Sequence, residues 1–359
     1  MAHPFTTILL DWFRENRRPL PWRETRDPYA IWLSEVILQQ TRIQQGTAYW
    51  QRFIGRWPTV EALAAATEDE VLREWQGLGY YSRARNLHAA AQQIVAMGHF
   101  PNTTDEIRRL KGVGDYTAAA IASIAFDLPE AVVDGNVYRV LARHFGIETP
   151  INSTEGKKTF KALAQELLPL SEASAFNQAM MDFGAVQCTP QSPRCLLCPL
   201  LESCEARRTG RVEALPVKLK KLQVKTRHLT YVYIRCNGYT AIHRRGAGDI
   251  WQGLWEPLSP LLSPPPKGGG EQQEDSPLNI LLPSFWRGWG RPQLLRSNVK
   301  HVLTHRILLA DFYLLECTER PPLPDDFIWI PESDITQYGV PRLVELLLEA
   351  VEKHDEDKI

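Results

Sequence analysis

The sequence predicts a multidomain chain, an all-α N-terminal part followed by an α+β part. Apolar residues recur at helical spacing through residues 5–205, with little strict alternation. From residue 226 the pattern turns to short runs rich in β-branched and aromatic residues, which read as strands. A length of 359 residues suits two or three domains of ordinary size.

Taken in order, the first helix-start signal is Asp27-Pro28, a cap followed by a first-turn proline. It opens the apolar run IWLSEVIL, and a helix is expected over 28–43. Helical periodicity returns over 61–75, 83–97, 116–126, 137–144 and 159–168. The stretch LKGVGDYT at 110–117 joins two helical segments. Its Gly112-x-Gly114 predicts a tight turn with positive φ angles. The amides exposed at the start of the next helix can then hold a phosphate oxygen, a contact that reads backbone and not base.

Strands are expected over 228–236, 239–243, 299–305 and 310–317, with a last helix from about Pro341. Leu343, Val344, Leu347 and Val351 form its apolar side. The predicted domains are 1–210, a linker at 211–226, and 227–359 with a Pro- and Gly-rich low-complexity insertion at 259–277.

A hydrophobic fraction of 44% and a charged fraction of 23% exclude a disordered, collagen-like or coiled-coil chain. Net charge is −1, yet residues 211–225 hold five basic groups against one acidic. A local basic patch of this kind suits phosphate or a solvated linker. Apolar runs fall short of the ~18 residues that span a bilayer, so no membrane partner is expected. The first residues lack a basic stretch followed by an apolar one, so the chain is expected in the cytoplasm (nucleoid-associated if bacterial).

Four of the six cysteines, Cys188, Cys195, Cys198 and Cys204, follow C-x6-C-x2-C-x5-C. In a reducing compartment such a cluster is more often a metal site than a disulfide pair. Four thiolates suit tetrahedral zinc or an iron–sulfur cluster, and the spacing leaves both open. Cys236 and Cys317 read as ordinary strand residues.

Two carboxylates stand out. On the predicted helix, Glu35 lies one turn from Ile31 and from Leu38, within an apolar surface. Lost hydration raises its pKa, as a general acid near pH 7 requires; the plainer reading pairs it with Arg42 or Arg23. Asp134 breaks the apolar strip AVVDGNV ahead of a helix. It reads as an N-cap, or as an ionised partner to Glu35. Unlike carboxyls divide acid and anionic roles in glycoside cleavage.

With LPW at 20–22, SEVILQQTR at 34–42, GLGYYSRARNLH at 77–88, LKGVGDYTAAAIAS at 110–123, VDGNVYRVLAR at 133–143, the four cysteines and GLWE at 253–256, the chain resembles the adenine DNA glycosylases. This is the MutY family of the helix-hairpin-helix superfamily, which also includes endonuclease III. The resemblance covers nearly the whole chain. It implies an all-α helix-hairpin-helix glycosylase with an iron–sulfur cluster loop at 188–204, plus a Nudix-like α+β C-terminal domain.

It implies removal of adenine opposite 8-oxoguanine or guanine in double-stranded DNA by a monomer, and a [4Fe-4S] cluster on the four cysteines. Glu35 would protonate the adenine, Asp134 would stabilise the sugar cation, and Asn136 would orient them. Tyr116 stands where lyase-type relatives have a catalytic lysine. A phenol forms no Schiff base, so a monofunctional enzyme is expected. Gln40 and Tyr80 would wedge into the stack, Thr41 and Leu78 would contact the opposite base, and Arg23 and Gln178 would line the adenine pocket. In the C-terminal domain the family's Phe-Ser-His element appears as Leu303-Thr304-His305, so Thr304 and His305 are expected to read 8-oxoguanine. That domain lacks the acidic metal run of a Nudix hydrolase. The alternatives are an endonuclease III-like lyase, opposed by Tyr116, a non-catalytic DNA-binding iron–sulfur protein, opposed by Glu35 with Asp134, and a nucleotide pyrophosphatase, opposed by the missing acidic run.

Overall fold

The computed structural model describes residues 3–219, 225–259, 291–303 and 305–358. Thr304, the insertion beyond residue 259 and residues 220–224 of the linker lie outside them. The chain divides into two compact units, Met1–Ala66 with Arg85–Lys221, and Thr67–Ala84 with Leu222–Ile359.

The helices in chain order are α1 (Pro4–Asn16), α2 (Pro28–Ile37), α3 (Ile43–Arg56), α4 (Val60–Ala65), α5 (Glu68–Glu74), α6 (Ser82–Met97), α7 (Thr104–Arg108), α8 (Asp115–Phe126), α9 (Gly135–Phe145), α10 (Thr154–Leu167), α11 (Ala173–Asp182) and α12 (Glu205–Arg208). Among the described residues no helix is long and apolar enough to cross a membrane.

Helix α2 begins as its sequence dictates: Asp27 accepts a hydrogen bond from the Tyr29 amide at 3.0 Å, and Pro28 is the first helical residue. Every residue from Tyr29 to Ile37 is buried, so this helix is a core element and not a surface one. It stops at Ile37, short of the expected 43. Gln40 turns into the left-handed region at φ 59°, and a new helix starts at Ile43. The expected helix over 61–75 is likewise two. Ala66 is extended, and Thr67 and Glu70 form a reciprocal capping box that starts α5 afresh.

α7, the hairpin and α8 form the helix-hairpin-helix. Gly112 has φ 76°, and a Cβ there would meet Asn86 Cβ at 2.6 Å. Gly114 is the extended N-cap of α8, φ −97°. The tight turn expected of Gly-x-Gly thus takes its positive φ at Gly112.

The second unit holds β1 (Lys225–Cys236), β2 (Tyr239–Arg244), β3 (Trp255–Glu256), β4 (Gln293–Val302), β5 (Arg306–Cys317), β6 (Phe327–Pro331) and α13 (Arg342–Glu356). The sheet runs β3-β2-β1-β5-β4, with β6 also on β2. β1 and β5 pair in parallel from Lys225↔Arg306 to Cys236↔Cys317, and the other pairings are antiparallel. Leu343, Val344, Leu347 and Val351 of α13 are buried as expected, against Tyr231, Tyr233, Phe312 and Leu314. The strand expected over 299–305 ends at Val302 and starts earlier, with bulges between Leu294 and Val299.

Candidate active site

A cavity of about 200 Å³ opens in the first unit, lined among others by Arg23, Glu35, Thr41, Tyr116, Asp134, Asn136 and Gln178. Residues from five separate stretches of sequence thus converge on one space.

Glu35 projects from the core helix α2 and is 8% exposed. The Tyr116 hydroxyl, from the first turn of α8, donates to Glu35 Oε2 at 3.0 Å. Burial pushes the Glu35 carboxyl up to about 7; the Tyr116 bond and Arg23 hold it back, and the field of Asp134 adds to the rise. Burial and the nearby carboxyls hold the Tyr116 phenol well above its ordinary value, so it stays a neutral donor.

Asp134 is both a cap and a site group. Oδ1 accepts from the amides of Asn136 and Val137 at 2.8 Å each, and Oδ2 accepts from Asn136 Nδ2 at 2.8 Å. Burial raises its carboxyl above the ordinary value, while these bonds and Arg139 pull the other way. Of the two carboxyls it is the one supplied with amide donors and a helix N-terminus, which favour the anion.

The sequence reading missed what holds this arrangement. Asp182, fully buried at the end of α11, accepts from Arg23 Nη1 at 2.7 Å and Nη2 at 2.9 Å and from Arg18 Nε at 2.7 Å. Burial opposes its charge, but the two guanidiniums win and hold the carboxyl below the usual range. Arg23 is thereby fixed on the cavity wall. Arg139, one turn beyond Asn136 on α9, donates to Asn136 Oδ1 at 2.8 Å, to Gly184 O at 2.6 Å and to Cys188 O at 2.7 Å. Gly184 sits in a π-helical stretch, and a Cβ on it would lie 2.5 Å from Asn136 Cβ. The aspartate turn is therefore tied to the backbone at the first cysteine of the cluster loop. A lone Asp in the run AMMDFG and an Arg inside an otherwise apolar helix turn were the available signals.

Cys188, Cys198 and Cys204 pack on the helical core. Burial pushes the Cys198 thiol up to about 11; the Leu200 backbone bond opposes the rise, and Cys188, Cys204 and Cys195 add to it. Arg143 Nη1 points at Cys188 Sγ from 3.4 Å. Among the described residues no group of three or more His, Cys, Asp or Glu side chains is gathered so as to hold a metal ion. By its chemistry a donor set of four thiols, with an N–H aimed at one of them, is of the kind that holds an iron–sulfur cluster.

The remaining predicted residues stand apart from the cavity lining or in the other unit. Gly112 and Gly114 are in the hairpin, and Gln40 is exposed on the turn after α2. Leu78, buried, and Tyr80, 46% exposed, belong to the second unit, as does the exposed His305.

A family model described as "HhH-GPD superfamily base excision DNA repair protein" matches residues 33–169, and one described as "NUDIX domain" matches 230–350. The adenine DNA glycosylase of Buchnera aphidicola subsp. Schizaphis graminum is 33% identical over 254 residues, 70% of this chain and 73% of that protein. The chain belongs to the adenine DNA glycosylase family. Another member, from Rattus norvegicus, is 44% identical over 226 residues, 59% of this chain. The match spans only 44% of that longer family member. Among solved structures, a thermostable thymine-DNA glycosylase superposes with TM-score 0.53 at 31% identity, over 57% of this chain and 95% of its own. An endonuclease III–DNA complex gives 0.50 at 25%, over 57% and 94%. The family's helical glycosylase fold and its Nudix-like C-terminal domain are both present here.

Proposed function

We propose that the chain is a monofunctional glycosylase. It hydrolyses the N-glycosidic bond of adenine opposite 8-oxoguanine or guanine in duplex DNA and leaves an abasic site. The observation that carries this reading is the pair of unlike carboxyls in one cavity, Glu35 near 7 and amide-held Asp134.

The scissile bond is shielded in a stacked duplex, so the adenosine is extruded into the cavity. Glu35 gives its proton to a ring nitrogen of the base, and the C1′–N bond breaks with its electron pair leaving on the adenine. Asp134 stabilises the cationic sugar. Water adds to C1′, and its released proton restores Glu35. Arg23 and Gln178 line the base pocket; Gln40, Thr41, Leu78 and Tyr80 meet the stack and the opposite base. The hairpin amides beyond Gly112 hold phosphate, and Thr304 with His305 read the oxidised guanine. Cys188, Cys195, Cys198 and Cys204 would hold a [4Fe-4S] cluster, which supplies a cross-link that shapes the 188–204 loop. The pure protein is expected to contain iron and acid-labile sulfide in equal amounts, and Cys198→Ser to lose both; a zinc-loaded protein without sulfide contradicts the assignment.

The test of the activity is a panel of duplexes with A opposite 8-oxoG, G, C or T, treated with alkali after incubation. Strand scission is expected with the first two alone. Release from all four, or from none, overturns the reading. Because Tyr116 offers no amine, borohydride is expected to trap no covalent DNA adduct.

A further inference from the structure

The stretch Thr67–Ala84 is grouped with the C-terminal residues and not with the helices on either side of it. Three fasteners hold it there. Arg244, the last residue of β2, donates to Glu68 and to Asp69 in the first turn of α5, at 2.9 Å each. The backbone just before α13 lies against the end of α5, where a Cβ on Gly339 would stand 3.4 Å from the Arg73 amide nitrogen. Gln76 Nε2 donates to Glu345 on the first turn of α13, and Glu345 is held in turn by Arg342 at 2.8 Å.

Beyond Gln76 the chain makes a preformed loop. Gly77, Gly79 and Tyr80 have φ of 93°, 69° and 48°. Trp75 Nε1 donates to Gly79 O at 3.0 Å, and buried Arg83 donates to Leu78 O and Gly79 O at 3.2 Å. The Arg83 guanidinium lies 5.0 Å from the Trp75 ring and 5.8 Å from the Tyr80 ring. The loop is thus braced from within while Tyr80 stays half exposed.

We propose that Arg244 and Glu345 are positioning residues: through Glu68, Asp69 and Gln76 the C-terminal module holds the loop that presents Leu78 and Tyr80 to the mispaired duplex. This rests on the proposed function. A module fastened to that loop places the reading of the opposite base and the wedge in one body, so seating one seats the other. Ordering the loop before DNA arrives also reduces the entropy lost on binding.

The test uses the full chain with Arg244→Glu, Glu345→Leu, and Arg244→Glu combined with Glu68→Arg. The Arg244 and Glu68 side chains are 41% and 39% exposed, so the fold tolerates the charge changes at these two positions. Two readouts are taken: the ratio of single-turnover excision rates on A:8-oxoG and A:G duplexes, and hydrogen exchange of the amides at 77–80. Each of the first two variants is expected to lower the ratio roughly three- to tenfold, the range of modest surface pairs acting together, and to speed exchange at 77–80 while leaving α8 protected. The charge-swapped pair is expected to recover most of both. An unchanged ratio and unchanged exchange in both single variants overturn the proposal, as does loss without recovery on the swap. If wild type itself shows no mispair preference on the duplex panel, the proposed function falls; faster exchange at 77–80 in the variants then still upholds the fastening, and unchanged exchange removes it.

Discussion

Glu35→Gln is expected to reduce single-turnover adenine release from an A:8-oxoG duplex by about 10²–10⁴-fold, the range of a lost general acid. The amide keeps the shape and can still accept from Tyr116 at the 3.0 Å contact, but it has no proton to give. The pH dependence follows from the same group. Only protonated Glu35 can act, so wild-type activity is expected to fall as pH rises through about 7. Stability moves in the same direction. A carboxyl raised from 4.5 to about 7 in the folded protein favours the fold fully below 4.5, and that contribution is lost as pH rises through 7. At about 1.36 kcal/mol per unit the effect is on the order of 3 kcal/mol. The substituted amide cannot ionise, so the variant is expected to melt higher than wild type at pH 8 and to match it near pH 4. Thermal unfolding at the two pH values checks this. A variant that retains activity, or that is less stable than wild type at pH 8, removes Glu35 from its role.

How much of this site was legible beforehand follows from how each residue reports itself. Glu35 is one charge inside an apolar run, and that contrast is local, so sequence alone exposes it. Asp134 announces a cap through its neighbours Gly135 and Asn136, and the capping carboxyl proved to be one that also lines the cavity. Asp182 and Arg139 are different. Their meaning comes from partners 159 and 49 residues away, and no periodicity carries information over that separation. The fold divides in the same way. The long strands β1 and β5 follow their β-branched composition, whereas β3 has two residues, too few for a pattern to form. The break between α4 and α5 was written in Thr67 and Glu70, but helical periodicity on either side masked it. The early end of α2 depends on one backbone angle at Gln40, which a glutamine does not advertise.

Asp134→Asn separates the two roles that one residue holds. Asparagine caps a helix about as well as aspartate, and its Oδ1 can still accept from the amides of Asn136 and Val137. If Asp134 were a cap and nothing more, the variant would be nearly as active as wild type. What the substitution removes is the negative charge beside the reacting sugar, and the expected loss in excision rate is on the order of 10²–10³-fold, the scale of one preorganised electrostatic partner. A second consequence ties the carboxyls together. The field of Asp134 is one of the causes that raise Glu35, so without it the Glu35 carboxyl is expected to titrate lower. Whatever activity remains should then be lost at a lower pH than in wild type. Rate and pH limb are both read from single-turnover excision across the pH range, with thermal unfolding as the control for folding. A large rate loss with an unmoved limb would mean that the two groups do not sense one another. A full-rate variant would return Asp134 to the helix it caps.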